Sequence, residues 1–133
     1  MSFLSLDNHG APYYSAEDLL GSALQILPCK GNNAATAAKV AGGMLVFRQL
    51  TVFAEWADAD NFAIALPTPG TAYDKTVQME LTIFASGNGA VTVFPGPDAS
   101  FATGESSVSI LEGTGKTFRP AVRAGALVWF YVG

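Results

Sequence analysis

Thr76-Val77-Gln78-Met79-Glu80-Leu81-Thr82-Ile83-Phe84-Ala85 decides the reading of this chain. Val77, Met79, Leu81 and Ile83 fall on one side of an extended backbone, and Gln78, Glu80 and Thr82 on the other. Successive side chains of a strand point to opposite faces, so this period of two marks a strand with one packed and one wet face. The same grammar recurs outward from it in Met44–Trp56, Asn61–Leu66, Ala90–Phe94, Ser106–Leu111, Thr117–Phe118 and Ala126–Val132. These runs are rich in β-branched and aromatic residues and are bounded by Gly, Pro, Asn and Asp.

The punctuation between runs is strong. Pro67-Thr68-Pro69-Gly70, Gly87-Asn88-Gly89, Pro95-Gly96-Pro97-Asp98 and Gly113-Thr114-Gly115 combine residues that fix φ near −65° with residues that tolerate positive φ. No crossover helices separate the runs, which excludes a doubly wound α/β sheet. The expectation is an all-β fold, an antiparallel β-sandwich or jelly roll of about seven or eight strands.

Two runs break the alternation. Ala126-Leu127-Val128-Trp129-Phe130-Tyr131-Val132 and Met44-Leu45-Val46-Phe47 are apolar on both sides. A strand in a two-layer fold meets the core with one side only, so the second side calls for cover by an arm or a neighbouring subunit. Composition says the same of the whole chain. Charged residues make up 14% of its 133 residues, against roughly a quarter in ordinary domains.

The first forty-odd residues read differently. Ser15-Ala16-Glu17-Asp18 offers a helix N-cap with acids in the first turn, and Leu19, Leu20, Ala23, Leu24 and Leu27 form an apolar stripe that ends at Pro28. Against this short helix stands an extended arm whose Ala23–Leu27 stretch adds a strand. Lys30–Lys39 is small and low in complexity, a loop or linker in which Ala34–Val40 has room for two helical turns. The division is therefore an N-terminal arm and linker over 1–42 and one β domain over 43–133.

Most functional classes find no support. A net charge of −4 with seven scattered basic residues opposes binding to nucleic acid. The opening MSFLSLDNHG lacks the basic start of a secretion signal, and the longest apolar run, Ala124–Gly133, is half of what a helix needs to cross a bilayer, so no membrane is expected. Cys29 is the only cysteine, which rules out a disulfide within the chain, and His9 is the only histidine. Gly113-Thr114-Gly115-Lys116-Thr117 echoes a phosphate-binding loop, but Ile110 stands where its first Gly belongs and Pro120 forbids the helix that must follow. No nucleophile elbow is present. The expectation is a protein that is no enzyme, with no cofactor, no metal and no catalytic residue.

Residues 88–133 contain Asn88-Gly-Ala-Val-Thr-Val-Phe-Pro95, then Ala102-Thr-Gly-Glu-Ser-Ser-Val-Ser-Ile-Leu-Glu-Gly-Thr-Gly-Lys-Thr-Phe-Arg-Pro120, then the closing Val128-Trp-Phe-Tyr-Val-Gly133. This order resembles small β-barrel or jelly-roll modules of tailed-bacteriophage virions, and the whole-chain plan looks most like a capsid decoration (cement) protein. The resemblance implies a structural virion protein on the capsid surface, made in the host cytoplasm, that bridges capsid subunits. Its implied partners are the major capsid protein and copies of itself in a homotrimer.

The residues that suit these roles are apolar. Phe3, Leu4, Leu6, Tyr13 and Tyr14 in the arm are partner-binding anchors, because aromatic side chains bury much area for few frozen torsions. Leu127, Trp129 and Tyr131 on the last strand are candidates for the oligomer interface. The alternative function is a carbohydrate- or receptor-binding knob of a phage fibre or tail, with Trp56 as a stacking ring beside Asp58 and Asp60. These acids otherwise form a solvated turn.

Overall fold

A computed structural model describes residues 4–6, 12–14, 22–40, 49–67 and 80–133. These form twelve strands: β1 (Leu4–Leu6), β2 (Pro12–Tyr14), β3 (Ser22–Pro28), β4 (Ala38–Lys39), β5 (Gln49–Trp56), β6 (Ala63–Ala65), β7 (Glu80–Gly87), β8 (Val91–Phe94), β9 (Ala99–Phe101), β10 (Val108–Ile110), β11 (Gly115–Arg123) and β12 (Ala126–Val132). Among the described residues there is no helix. The strands make a two-stranded sheet, β1-β2, a four-stranded sheet ordered β10-β8-β6-β4, and a six-stranded sheet ordered β3-β5-β7-β11-β12-β9.

The all-β expectation holds, and the antiparallel one is corrected. β3 pairs parallel with β5, β5 with β7, β4 with β6, β6 with β8, and β9 with β12. Parallel neighbours arise here because the chain alternates between the two large sheets: β3 then β4, β5 then β6, β7 then β8. Each return lays a strand beside its predecessor, giving the ladders Gln25–Val52–Ile83 in one sheet and Ala38–Ile64–Val93 in the other. Only β1-β2 and β11-β12 are consecutive strands of one sheet among those described.

One core lies between the two large sheets. Val52, Ala54, Leu81, Ile83, Ala85, Phe118 and Trp129 from the larger sheet pack with Ile64, Val91, Val93 and Ile110 from the smaller one. Phe101, Phe118 and Tyr131 close one end, with ring centroids 5.7 to 6.1 Å apart. Cys29 is buried in the same cluster. Loss of solvent there, reinforced by the negative charge of Glu55, pushes its thiol up to about 11, so it stays a neutral apolar group.

Three further expectations need restating. Ser22–Pro28 is a strand and not part of a helix, the outcome of the extended-arm alternative; residues 15–21 lie outside the described ones. Period two wins over the helical stripe because β5 supplies a seven-residue backbone partner. Ala34–Val40 makes a single turn and then β4, since the Asn33 side-chain oxygen accepts from Ala35 N and Thr36 N, both at 3.0 Å, and holds a local turn. Residues 22–40, read as arm and linker, thus furnish one strand to each large sheet. Met44–Phe47 lies outside the described residues.

Pro120 sits inside β11, a strand flanked on both sides. Among the described residues its pairing with β7 runs as far as Phe118 opposite Leu81, and Pro120 lies opposite Trp129 of β12.

Candidate functional site: the outer face of the six-stranded sheet

The register of the larger sheet assembles its outward side chains in rows. Leu24, Thr51, Thr82, Thr117 and Val132 run across five strands. Ile26, Phe53 and Phe84 form a second row that ends at Gly115. Gln49, Glu80, Arg119 and Phe130 form a third.

The first two rows are apolar or hydroxylated, and charge enters the face at Glu80, Arg119 and the exposed Glu55 beyond Phe53. Leu24 is 58%, Ile26 60%, Phe130 45% and Val132 69% exposed. Phe53 and Phe84 meet edge to face, centroids 5.8 Å apart and planes at 87°, the arrangement favoured by the ring quadrupoles. Thr82 and Thr117 share a hydroxyl hydrogen bond of 3.0 Å. The charges of the third row neutralise one another, since Arg119 Nη2 donates to Glu80 Oε1 at 2.9 Å. Five strands at about 4.8 Å spacing and five residues at about 3.3 Å give a face of about 400 Å². Apolar and hydroxylated side chains share most of this area, and a patch of this order is the size of the largest on a typical monomer, where it is often functional.

The residues nominated from sequence are distributed differently. Trp129 is fully enclosed by its own chain, and its indole N–H finds no hydrogen-bond partner. Leu127 and Tyr131 are half-buried on the same inward side. The exposed large apolar side chains of β12 are therefore Phe130 and Val132, one position out of phase with the nominated set. Leu4 and Leu6 lie on β1, Tyr13 and Tyr14 on β2, with Leu4 opposite Tyr14 and Ser5 opposite Tyr13. Phe3 and His9 lie outside the described residues.

Trp56 is half-buried and packs on the core. Its indole lies so close over the β7–β8 turn that a Cβ on Gly89 would fall 2.6 Å from Trp56 Cε2. The ring covers a glycine of its own chain instead of standing free as a platform. Asp58 closes its own loop: its Oδ1 accepts from Asp60 N at 2.8 Å and Asn61 Nδ2 at 3.0 Å. Asn61 Oδ1 in turn accepts from Gly31 N at 2.9 Å. Asp60 is exposed.

Reactive groups do not converge elsewhere in the described residues. No three His, Cys, Asp or Glu side chains there are grouped closely enough to hold a metal ion. A cleft of about 750 Å³ opens among Val40, Leu66, Pro67, Pro95 and Pro97, with Lys39 on its wall, and none of its lining residues is an acid, an imidazole or a thiol. At the rim of β12, the phenol of Tyr131 donates to Glu105 Oε1, which also accepts from Thr103 Oγ1 at 2.7 Å. The Tyr131 bond, then that from Thr103, lowers the Glu105 carboxyl below its ordinary value. Glu105 in turn raises the Tyr131 phenol. Lys116 stands 5.4 Å over the Tyr131 ring and donates to Gly133 O at 2.8 Å.

Sequence reasoning missed Leu24, Ile26, Phe53, Phe84 and Phe130 as a surface. The signal lies in Phe53 and Phe84, which alternate with inward Val52, Ala54, Ile83 and Ala85, but an aromatic side chain within a strand suits a core as well as a surface. Comparison of the chain with protein-family models, curated proteins and solved structures returns no match. The functional reading therefore rests on geometry and sequence.

Proposed function

We propose that this protein is a structural virion component that seats on the outside of a bacteriophage capsid and braces it by bridging capsid subunits, acting through contact area and not through chemistry. The observation that carries the reading is the charge-poor outer face of the six-stranded sheet, with Leu24, Ile26, Phe130 and Val132 open to solvent. Covering its exposed apolar side chains contributes ~25 cal/mol for each Å² of apolar surface removed from water, from which the loss of rigid-body and side-chain freedom must be subtracted. A shell displays its sites in a repeating array, so a protein that touches two subunits at once gains further through effective concentration. The N-terminal strands β1 and β2 are the second element offered to the shell in this reading.

The test is co-sedimentation of the purified protein with undecorated capsids of its own virus. Phe84→Lys together with Val132→Lys is expected to abolish sedimentation with the shells while the far-ultraviolet β signal is retained. Failure of the unsubstituted protein to sediment with the shells refutes the capsid reading.

A further inference from the structure

Among the described residues, the four edges of the two large sheets are not alike. β4 offers two residues, one of them Lys39; β9 and β10 offer three each. β9 is also preceded by Pro95, Pro97 and Asp98, the last held at φ 59°. Short strands, lysine, proline and local kinks are the devices that keep sheet edges from recruiting another chain. β3 has almost none of them. It is seven residues long, Ser22-Ala-Leu-Gln-Ile-Leu-Pro28, carries no charge, and among the described strands pairs on one side only, with β5.

We propose that β3 is the interface between two copies of this chain, paired antiparallel about a twofold axis through Gln25 so that the two six-stranded sheets become one. The inference goes beyond the capsid reading and stands without it. It puts a twofold pair in place of the threefold grouping that the resemblance to decoration proteins implies.

Three features point to a second copy as the occupant. A twofold axis through Gln25, the centre of the strand, sets Leu24 opposite Ile26 of the partner subunit and Ile26 opposite the partner's Leu24. The two most exposed side chains of the edge thus cover one another on the outer face, as directly opposed apolar pairs do across antiparallel strands. Gln25 projects to the inner side, beside Val52 in register, and its Oε1 is buried without a hydrogen-bond partner. The second Gln25 brings an amide N–H₂ to the same seam, and a turn of each side-chain amide toward the other gives the orphan oxygen the donor it lacks. Lack of charge along the strand removes like-charge repulsion between copies of a chain whose net charge is −4. An interface that uses the same patch on both partners is the isologous type that closes at two subunits.

The pair would present Leu24, Ile26, Phe53 and Phe84 from both chains as one unbroken outer face. The experiment is sedimentation velocity of the full chain across micromolar concentrations, joined to cross-linking by introduced cysteines. The unsubstituted chain is expected to sediment with the mass of two chains and Ile26→Lys with the mass of one, both showing the same far-ultraviolet spectrum. Gln25→Cys is expected to form a disulfide-linked pair on air oxidation, since residues facing each other on antiparallel strands have Cα separations within disulfide range. Thr51→Cys, on the adjacent interior strand, is expected not to. Native Cys29 is buried and does not compete. A mass of one or three chains for the unsubstituted protein, or linkage through Thr51→Cys in preference to Gln25→Cys, overturns the proposal. If Ile26→Lys fails to fold, the cysteine pair alone decides. Capsid binding is a separate readout, so a dimer that ignores capsids would leave this inference standing and remove the other.

Discussion

The inner and outer faces of the six-stranded sheet are made by the same strands, yet they solve different problems. On β7 the inward Leu81, Ile83 and Ala85 have no exposure at all, while the outward Thr82 and Phe84 are half-buried and Glu80 reaches across to Arg119. The inner set is fixed by shape, because a core packed at crystal-like density registers the loss of a single methylene. The outer set is fixed by chemistry: over its central rows threonines and aromatic rings stand where a solvated face would carry lysines and glutamates, and charge is kept to Glu55 and the Glu80–Arg119 pair. The lesson is that alternation identifies two faces without saying that the second is meant for water.

Truncating each face in turn separates the two roles most sharply. Leu81→Ala is expected to lower the unfolding free energy of the isolated chain by about 2–5 kcal/mol, the cost of a buried cavity. Phe84→Ala is expected to cost clearly less, and both are read from urea denaturation. Equal losses would mean that the outer face is as fully packed as the inner one, and the contrast would be gone.

A smaller effect sharpens the comparison within the outer face. Phe53→Leu, Phe84→Leu and the double variant form a cycle whose coupling energy is expected at about 0.5–1.5 kcal/mol, the range for an edge-to-face ring pair. A coupling indistinguishable from zero would mean that the two rings are independent surface groups rather than a preorganised patch.

Sequence pattern carried strand positions well and strand partners poorly. The Gly87-Asn88-Gly89 turn is where it was expected, but it leads from β7 to β8, which belong to different sheets. Gly and Asn report that the backbone bends; they do not report whether the next strand folds back beside the last or crosses to the other layer. Parallel pairing was hidden for the same reason, since alternation along β5 is the same whether β7 runs with it or against it. β12 shows the limit for the site. All seven of its residues are apolar, so nothing along the strand favoured Trp129 over Phe130 as the outward residue, and only pairing with β11, which sets Phe130 opposite Arg119 and Trp129 opposite Pro120, fixes the phase. Ser22–Pro28 met a different obstacle, a leucine spacing that serves a helix stripe and an edge strand equally.

The smallest expected effect lies at the rim where the two faces meet. Glu105 has a folded-state value below its unfolded one, so its contribution to stability is present above the ordinary carboxylate range and is lost as pH falls through the lowered value. Tyr131 is raised, so its contribution is held below the ordinary phenol value and is lost as pH rises through the raised one. Both effects are modest because the carboxyl that Tyr131 meets is solvent-exposed. Tyr131→Phe is expected to move the Glu105 titration, followed by carboxyl carbon NMR, upward toward the usual carboxylate range. An unchanged midpoint would show that the rim contact has no electrostatic role.

Alternation of the chain between sheets has a consequence for how such a molecule can vary. β3 with β4, β5 with β6 and β7 with β8 behave as stacked rungs, each lending one strand to either layer. Insertion or loss of a whole rung would widen or narrow both layers by about 4.8 Å while leaving the closing β11-β12 hairpin as it is. The width of the molecule is thus a quantity that can change in fixed steps, and with it the span between its two ends.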